Sequence, residues 1–166
     1  SGFPGDWAAQ AEALRAAIYR HFSVEHIGTH GKNTILAYAT DCAGQHHFYH
    51  DANDFPLVLA PVWGFCAADD PLWQTTIDFA FSQANQGGYY AGHLGSVHTS
   101  APWAMGDIQE MIAAKLLGNA ERYDKAQTAV RMAAQWDGAL SEAYDAATGA
   151  VVSRHWFVWP NAVYAC

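Results

Sequence analysis

Glu142 is the residue around which the chemistry of this chain can be argued. It is a carboxylate in the turn-like start of Trp136–Tyr164, WDGALSEAYDAATGAVVSRHWFVWPNAVY, set off from Asp137 by an uncharged run and with Asp145 close behind it. A second turn, Thr148-Gly149, leads to Arg154, His155, Trp156 and Trp159. A carboxylate held among rings beside a guanidinium is what a sugar site requires. The rings stack on the apolar faces of a pyranose, the arginine fixes hydroxyls, and the carboxylate activates water or a leaving group. The competing reading is a helix-to-helix loop whose tryptophans belong to the core.

Three further groupings carry chemically useful side chains. His46-His47-Phe48-Tyr49-His50-Asp51, taken with Asp41, Cys42 and His30, has the residue types that bind zinc. On a strand, however, His46 and His50 share a face while His47 points away. There is no H-E-x-x-H motif and no cysteine pair, so no metal and no other cofactor is assigned. His50-Asp51-Ala52-Asn53-Asp54 lies where a strand gives way to a helix. Its acceptors either cap helix N–H groups or, in the functional reading, Asp51 and Asn53 bond sugar hydroxyls. The third is Gly92-His93-Leu94-Gly95-Ser96-Val97-His98-Thr99. Its glycines allow the backbone amides to converge with Ser96, His98 and Thr99 on a ligand. No lysine follows them as a phosphate loop requires, and Ser96–His98 lacks the G-x-S-x-G turn of a hydrolase nucleophile.

The elements that must position these groups are mostly helical. Asp6 is an N-cap for an amphipathic helix over Trp7–Phe22, with Ala11, Leu14, Ile18 and Phe22 on one stripe. Residues 24–50 change character and predict a β-hairpin or short meander inserted between helices. Helices are then expected over Asp54–Cys66, Leu72–Ala84 with Pro71 at its first position, Trp103–Leu117, Glu121–Trp136, and from Phe157 onward. Gly118-Asn119 is the stop between two of them. Asn85–Pro102 reads as a long glycine-rich functional loop. About six helices, paired, with long loops after every second one, suggest part of an α/α toroid as readily as an ordinary bundle.

Half the residues are hydrophobic and 14% are charged over 166 positions, enough for one domain with a real core. The net charge of −8 argues against nucleic acid or an anionic membrane as a partner. A neutral ligand suits it better. Cys42, Cys66 and Cys166 are widely spaced, which points to free thiols in a reducing compartment. With no membrane span and no signal peptide in view, the expected location is cytoplasmic.

Several of these segments also match a known family in register. They are Leu36-Ala37-Tyr38, Asp51-Ala52-Asn53, Pro61-Val62-Trp63-Gly64, Asp70-Pro71-Leu72-Trp73, Gly95-Ser96-Val97-His98-Thr99, Trp103-Ala104-Met105, Ser141-Glu142-Ala143-Tyr144-Asp145, and Arg154 through Asn161. In that order they resemble the second half of glycoside hydrolase family 125, the metal-independent exo-α-1,6-mannosidases. The resemblance runs from about Asp6 to the last residue. The family patterns look like D-D-A-N, P-Y-L-G, G-S-P-H-T, W-P-M, H-E-S and R-P-W-F-A-W-x-N.

That resemblance implies an (α/α)6 toroid with its active site among the loops at one end, and inverting hydrolysis of a terminal α-mannoside without metal. Glu142 falls on the general base. Asp51, Asn53, Gly95, Ser96, His98, Thr99, Arg154, Trp156 and Trp159 fall where the sugar pocket is lined. His50, Val97, Ser141 and His155 depart from the patterns, which bears on the sugar and linkage more than on the fold. The family's general acid is an aspartate on a segment upstream of Trp7–Phe22, and Asp51 is the only local substitute. The chain is therefore expected to be the C-terminal half of a catalytic domain. Its inner helices would present apolar surface to a missing half or to self-association. The alternative is a carbohydrate-binding or assembly module that kept the pocket and lost the acid.

Overall fold

The computed structural model describes residues 5–28 and 31–165; His30 and Cys166 lie outside the described residues. The fold is mainly helical with small sheets. Helix α1 (Trp7–Phe22) starts where Asp6 accepts the Ala9 amide at 3.0 Å. No residue of α1 is buried. Of the expected stripe, Ile18 and Phe22 are half-buried, whereas Ala11 is exposed and Leu14 is 63% exposed. Polar bonds tether the helix instead. Arg15 donates to the carbonyls of Phe65 (2.6 Å) and Gly64 (3.0 Å), and Tyr19 donates to Asp70 at 2.8 Å.

The insertion expected over 24–50 is two antiparallel hairpins: β1 (Ser23–Gly28) with β2 (Gly31–Leu36), then β3 (Ala39–Thr40) with β4 (His46–His47). Asp41 closes the second turn by accepting the amides of Ala43 and Gln45. The helix expected over Asp54–Cys66 is shorter than the sequence pattern suggests. Helix α2 spans only Phe55–Leu59, because Pro61 has no N–H to continue the ladder and the chain turns through Gly64 at φ +72°.

Helix α3 (Pro71–Ala80) is capped by Asp70, which accepts from Leu72 and Trp73. It stops short of the expected Ala84 because side chains take its last carbonyls: Ser82 bonds Phe79 and Asn85 bonds Ala80. The stretch from Asn85 to Pro102 is not one open loop. It holds a three-stranded sheet of β5 (Tyr89–Tyr90), β6 (His93–Ser96) and β7 (Ala101–Pro102). Helices α4 (Ala104–Leu116) and α5 (Ala120–Ala133) follow, joined at Gly118, with Asn119 capping α5 through the Arg122 amide. Strands β8 (Ala143–Tyr144) and β9 (Val151–Ser153) form a hairpin before α6 (Val158–Ala165).

Helix α4 is the central element. Every residue from Ala104 to Met111 is buried, and two apolar clusters share the helix. One gathers Val58, Trp73, Ile77, Leu94, Trp103 and Met105; the other packs Ala104, Ile108 and Met111 against Val130, Leu140 and Tyr144. Each fully buried side chain such as Ile77 stabilises the fold by about 1.5–3 kcal/mol. Among the described residues, no helix is long and apolar enough to cross a membrane.

Candidate active site

The site is built from three segments that the core brings together. Glu142 enters just before β8. Its amide donates to the Arg154 carbonyl at 3.1 Å. The hairpin has a register shift, so that Ala143 faces Ser153 while Tyr144 faces Val151. A bulge of this kind re-aims side chains. Here Ser153 donates to Glu142 Oε2 at 2.6 Å, and the Arg154 guanidinium pairs with Oε1. Arg154 adopts φ +46°, a left-handed conformation that a non-glycine residue holds only when its surroundings enforce it. Glu142 is 2% exposed and the Arg154 side chain 64% exposed, so the carboxylate is held from below while the guanidinium reaches into solvent.

The second segment follows β4. Asp51 is buried, and its Oδ1 accepts the amide and Nδ2 of Asn53 at 2.8 and 2.7 Å. Its Oδ2 accepts the Ser96 hydroxyl at 2.8 Å and the Tyr49 hydroxyl. Four donors occupy this carboxylate, which makes it an organiser of its neighbours. Asp54 differs. Burial, with Asp51 beside it, raises its pKa above the ordinary carboxylate range, and its Oδ2 is a buried atom without a partner among the described residues.

The third segment is the β6–β7 connection. Gly95 accepts the Ala52 amide on its carbonyl at 3.0 Å, which ties this sheet to the Asp51 segment. A Cβ at Gly95 would lie 2.0 Å from the Ala101 carbonyl oxygen, so only glycine fits.

Together these segments wall a cleft of about 900 Å³. Glu142, Arg154 and Trp159 line one side, Asp51, Asn53 and Asp54 another, and Val97, His98 and Trp103 a third. Tyr38, Tyr49 and Phe157 complete the lining. Of the residues proposed from sequence, Glu142, Asp51, Asn53, His98, Arg154 and Trp159 come together here. Ser96 and Thr99 stand behind the wall. Ser96 is fully buried on Asp51, and Thr99 accepts the Trp103 indole N–H at 2.5 Å. Trp156 lies outside the cleft. It is 73% exposed, and its indole donates to Asp137 at 2.7 Å.

Sequence reasoning did not single out Tyr38, Tyr49, Asp54, Trp103 or Phe157 as lining residues. Their signal was present, since each adjoins a motif segment. The histidines considered for zinc disperse. His46 Nε2 lies 3.3 Å from the His21 carbonyl, His47 meets Tyr38 edge-on and lies tilted against Tyr49, and His50 is buried on Gln109. Among the described residues, no three His, Cys, Asp or Glu side chains gather as a metal set.

An aromatic-walled cleft with a carboxylate–guanidinium pair and several further acceptors is the kind of site that glycoside hydrolases carry. Residues 5–166 match the family model described as metal-independent alpha-mannosidase, glycoside hydrolase family 125, and the chain belongs to that family. A metal-independent alpha-mannosidase from Streptococcus pneumoniae, solved in a non-productive complex with alpha-1,6-mannobiose, is similar in fold. The TM-score is 0.69 at 24% identity, covering 86% of this chain and 34% of that one. The chain thus spans about a third of that enzyme's length. No curated protein sequence matches it.

Proposed function

We propose that this chain carries the base half of an inverting α-mannosidase site within part of an (α/α)6 toroid, residues 1–166 forming one portion of a catalytic domain. The observation that carries the reading is the convergence of Glu142 and Arg154 with the Asp51–Asp54 and Val97–His98 segments on one cleft. Glu142 takes a proton from a water molecule. The water oxygen bonds to the anomeric carbon, the glycosidic C–O bond breaks, and a carboxylic acid roughly 6.5–9.5 Å away protonates the leaving oxygen. Ser153 and Arg154 hold Glu142 in one orientation for that transfer. Trp159 and Phe157 offer faces to the sugar, with the buried Trp103 packed behind them, and Asn53 and His98 offer hydroxyl partners. The terminal α-1,6-mannoside is the proposed substrate, following the family resemblance.

A second reading has its own support. Asp51, the one local candidate for the acid, is fully engaged as an acceptor, so a chain acting alone would bind sugar without cleaving it. Calorimetry with mannose and α-1,6-mannobiose, alongside release of an aryl leaving group, separates the two. For an enzyme assembled with its acid, Glu142→Gln lowers hydrolysis by about 10²–10⁴-fold, while sugar binding persists. Turnover unchanged in that variant removes Glu142 from the mechanism.

A further inference from the structure

Helix α4 is apolar along most of its length, yet it buries Asp107, Gln109 and Glu110. Asp107 is completely buried. Its Oδ2 accepts the Tyr144 hydroxyl at 2.5 Å, and its Oδ1 lies 2.8 Å from His93 Nδ1. The Tyr144 hydroxyl also lies 3.2 Å from that nitrogen. A carboxylate only accepts, so His93 must carry its proton on Nδ1, where it reaches both Asp107 and the tyrosine oxygen. Tyr144 is two residues from Glu142 and fully buried. His93 opens β6, the strand that ends at Ser96 and so at Asp51. One carboxylate therefore fastens both the strand behind the base and the strand behind the acceptor wall to the same turn of one helix.

We propose that Asp107 is a positioning residue for Glu142, acting through the Tyr144 hydroxyl, with His93 linking the same carboxylate to β6. This rests on the reading of Glu142 as the base. The geometry explains why a helix would bury a carboxylate at all. An ion or dipole in a dry interior is costly unless its partners are fixed, and fixed partners are what a catalytic carboxylate needs behind it. Burial raises the pKa of Asp107, whereas His93 and Tyr144 act against that rise. The charged groups facing the network are Glu110 on α4 and Lys125 on α5, which shift His93 in opposite senses. Apolar packing alone would have placed Leu or Met at position 107, as it did at Met105 and Met111.

The test is spectroscopic and does not require turnover. In the unaltered chain, at a pH above the raised His93 value where the ring is neutral, long-range proton–nitrogen spectra are expected to give His93 as the Nδ1–H tautomer. Asp107→Asn turns an amide N–H toward that nitrogen and flips the tautomer to Nε2–H. Tyr144→Phe removes only a hydroxyl and preserves the packing. In it, the carbon-13 carboxyl resonance of Glu142, assigned by Glu142→Gln, is expected to lose its single sharp line and move in position. An Nε2–H tautomer in the unaltered chain overturns the proposal even where no variant folds. A Glu142 line that superimposes between Tyr144→Phe and the unaltered chain overturns it as well. Absence of mannoside binding by the unaltered chain would sink the functional reading while leaving both spectroscopic results interpretable.

Discussion

His50 and His93 are both drawn into buried hydrogen bonds, yet their protons respond in opposite directions. His50 is almost fully buried against Gln109 and Phe81, and desolvation pushes its pKa down to about 4. His93 is raised, first by its bond to Asp107. For His50 the unfolded chain binds the proton more readily. Its contribution is thus complete above an ordinary histidine value of about 6.5 and is lost as pH falls toward about 4, on the order of 3 kcal/mol in all. The His93 contribution runs the other way, present below about 6.5 and lost as pH rises through its raised value. His50 therefore contributes to the acid limb, beside Asp41, Asp137 and Asp145, whose hydrogen bonds hold them below the ordinary carboxylate range. The stability gap between the unaltered chain and His50→Gln, measured by urea unfolding, is expected to narrow from pH 7 to 4.5. An equal gap at both pH values would mean that His50 does not contribute to that limb.

At the scale of elements, close approach decides where propensity would mislead. Gly106 lies inside α4, where alanine would ordinarily add about 1 kcal/mol of helix stability. A Cβ there would come within 2.2 Å of the Leu94 carbonyl oxygen and 2.8 Å of its Cβ. Since β6 is pinned by its sheet and by His93, it cannot retreat. Gly106→Ala is expected to lower stability by about 1–3 kcal/mol, read as a lower urea midpoint; a raised midpoint would show that the helix and strand can separate. The same contrast explains what the sequence could and could not reveal. Asp6 and Pro71 announced their helices, because a cap acts on amides two or three residues away and proline suits a first helical position. The 85–102 stretch concealed a sheet because its strands are two to four residues long, too short for an alternating pattern. Asp107 and Gln109 gave no signal that could be read, because their partners lie 14 to 59 residues away. Glu142, Arg154 and the Asp51–Asn53 pair were legible as site candidates through motif order. Which rings face the cleft was not, since Trp156 and Trp159 are separated only by how the start of α6 turns.

For the molecule as a whole, the unanswered surface is apolar. α1 buries no residue, and Leu14, Trp63, Trp136, Trp156 and Val158 are all exposed, Trp136 to 88%. Where such side chains group into one patch, they mark an association surface. The chain spans 34% of its solved structural relative, and we propose that these faces pack against a further part of such a domain or a second copy. In its own solution the 166-residue chain is expected to self-associate at micromolar concentration, read as a mass above that of the monomer by light scattering. The driving force can be identified from salt. A net charge of −8 opposes association, so sodium chloride screens that repulsion and ammonium sulfate further strengthens apolar burial. Both are expected to raise the mass, whereas association through surface ion pairs such as Lys32–Glu25 exchanging between copies would weaken in salt. Trp136→Ser together with Leu14→Lys touches no residue of the cleft and should return the mass toward that of the monomer. A monomer at all salt concentrations would mean that these faces are satisfied by water alone, and the proposed toroid would then lose its physical need for a missing part.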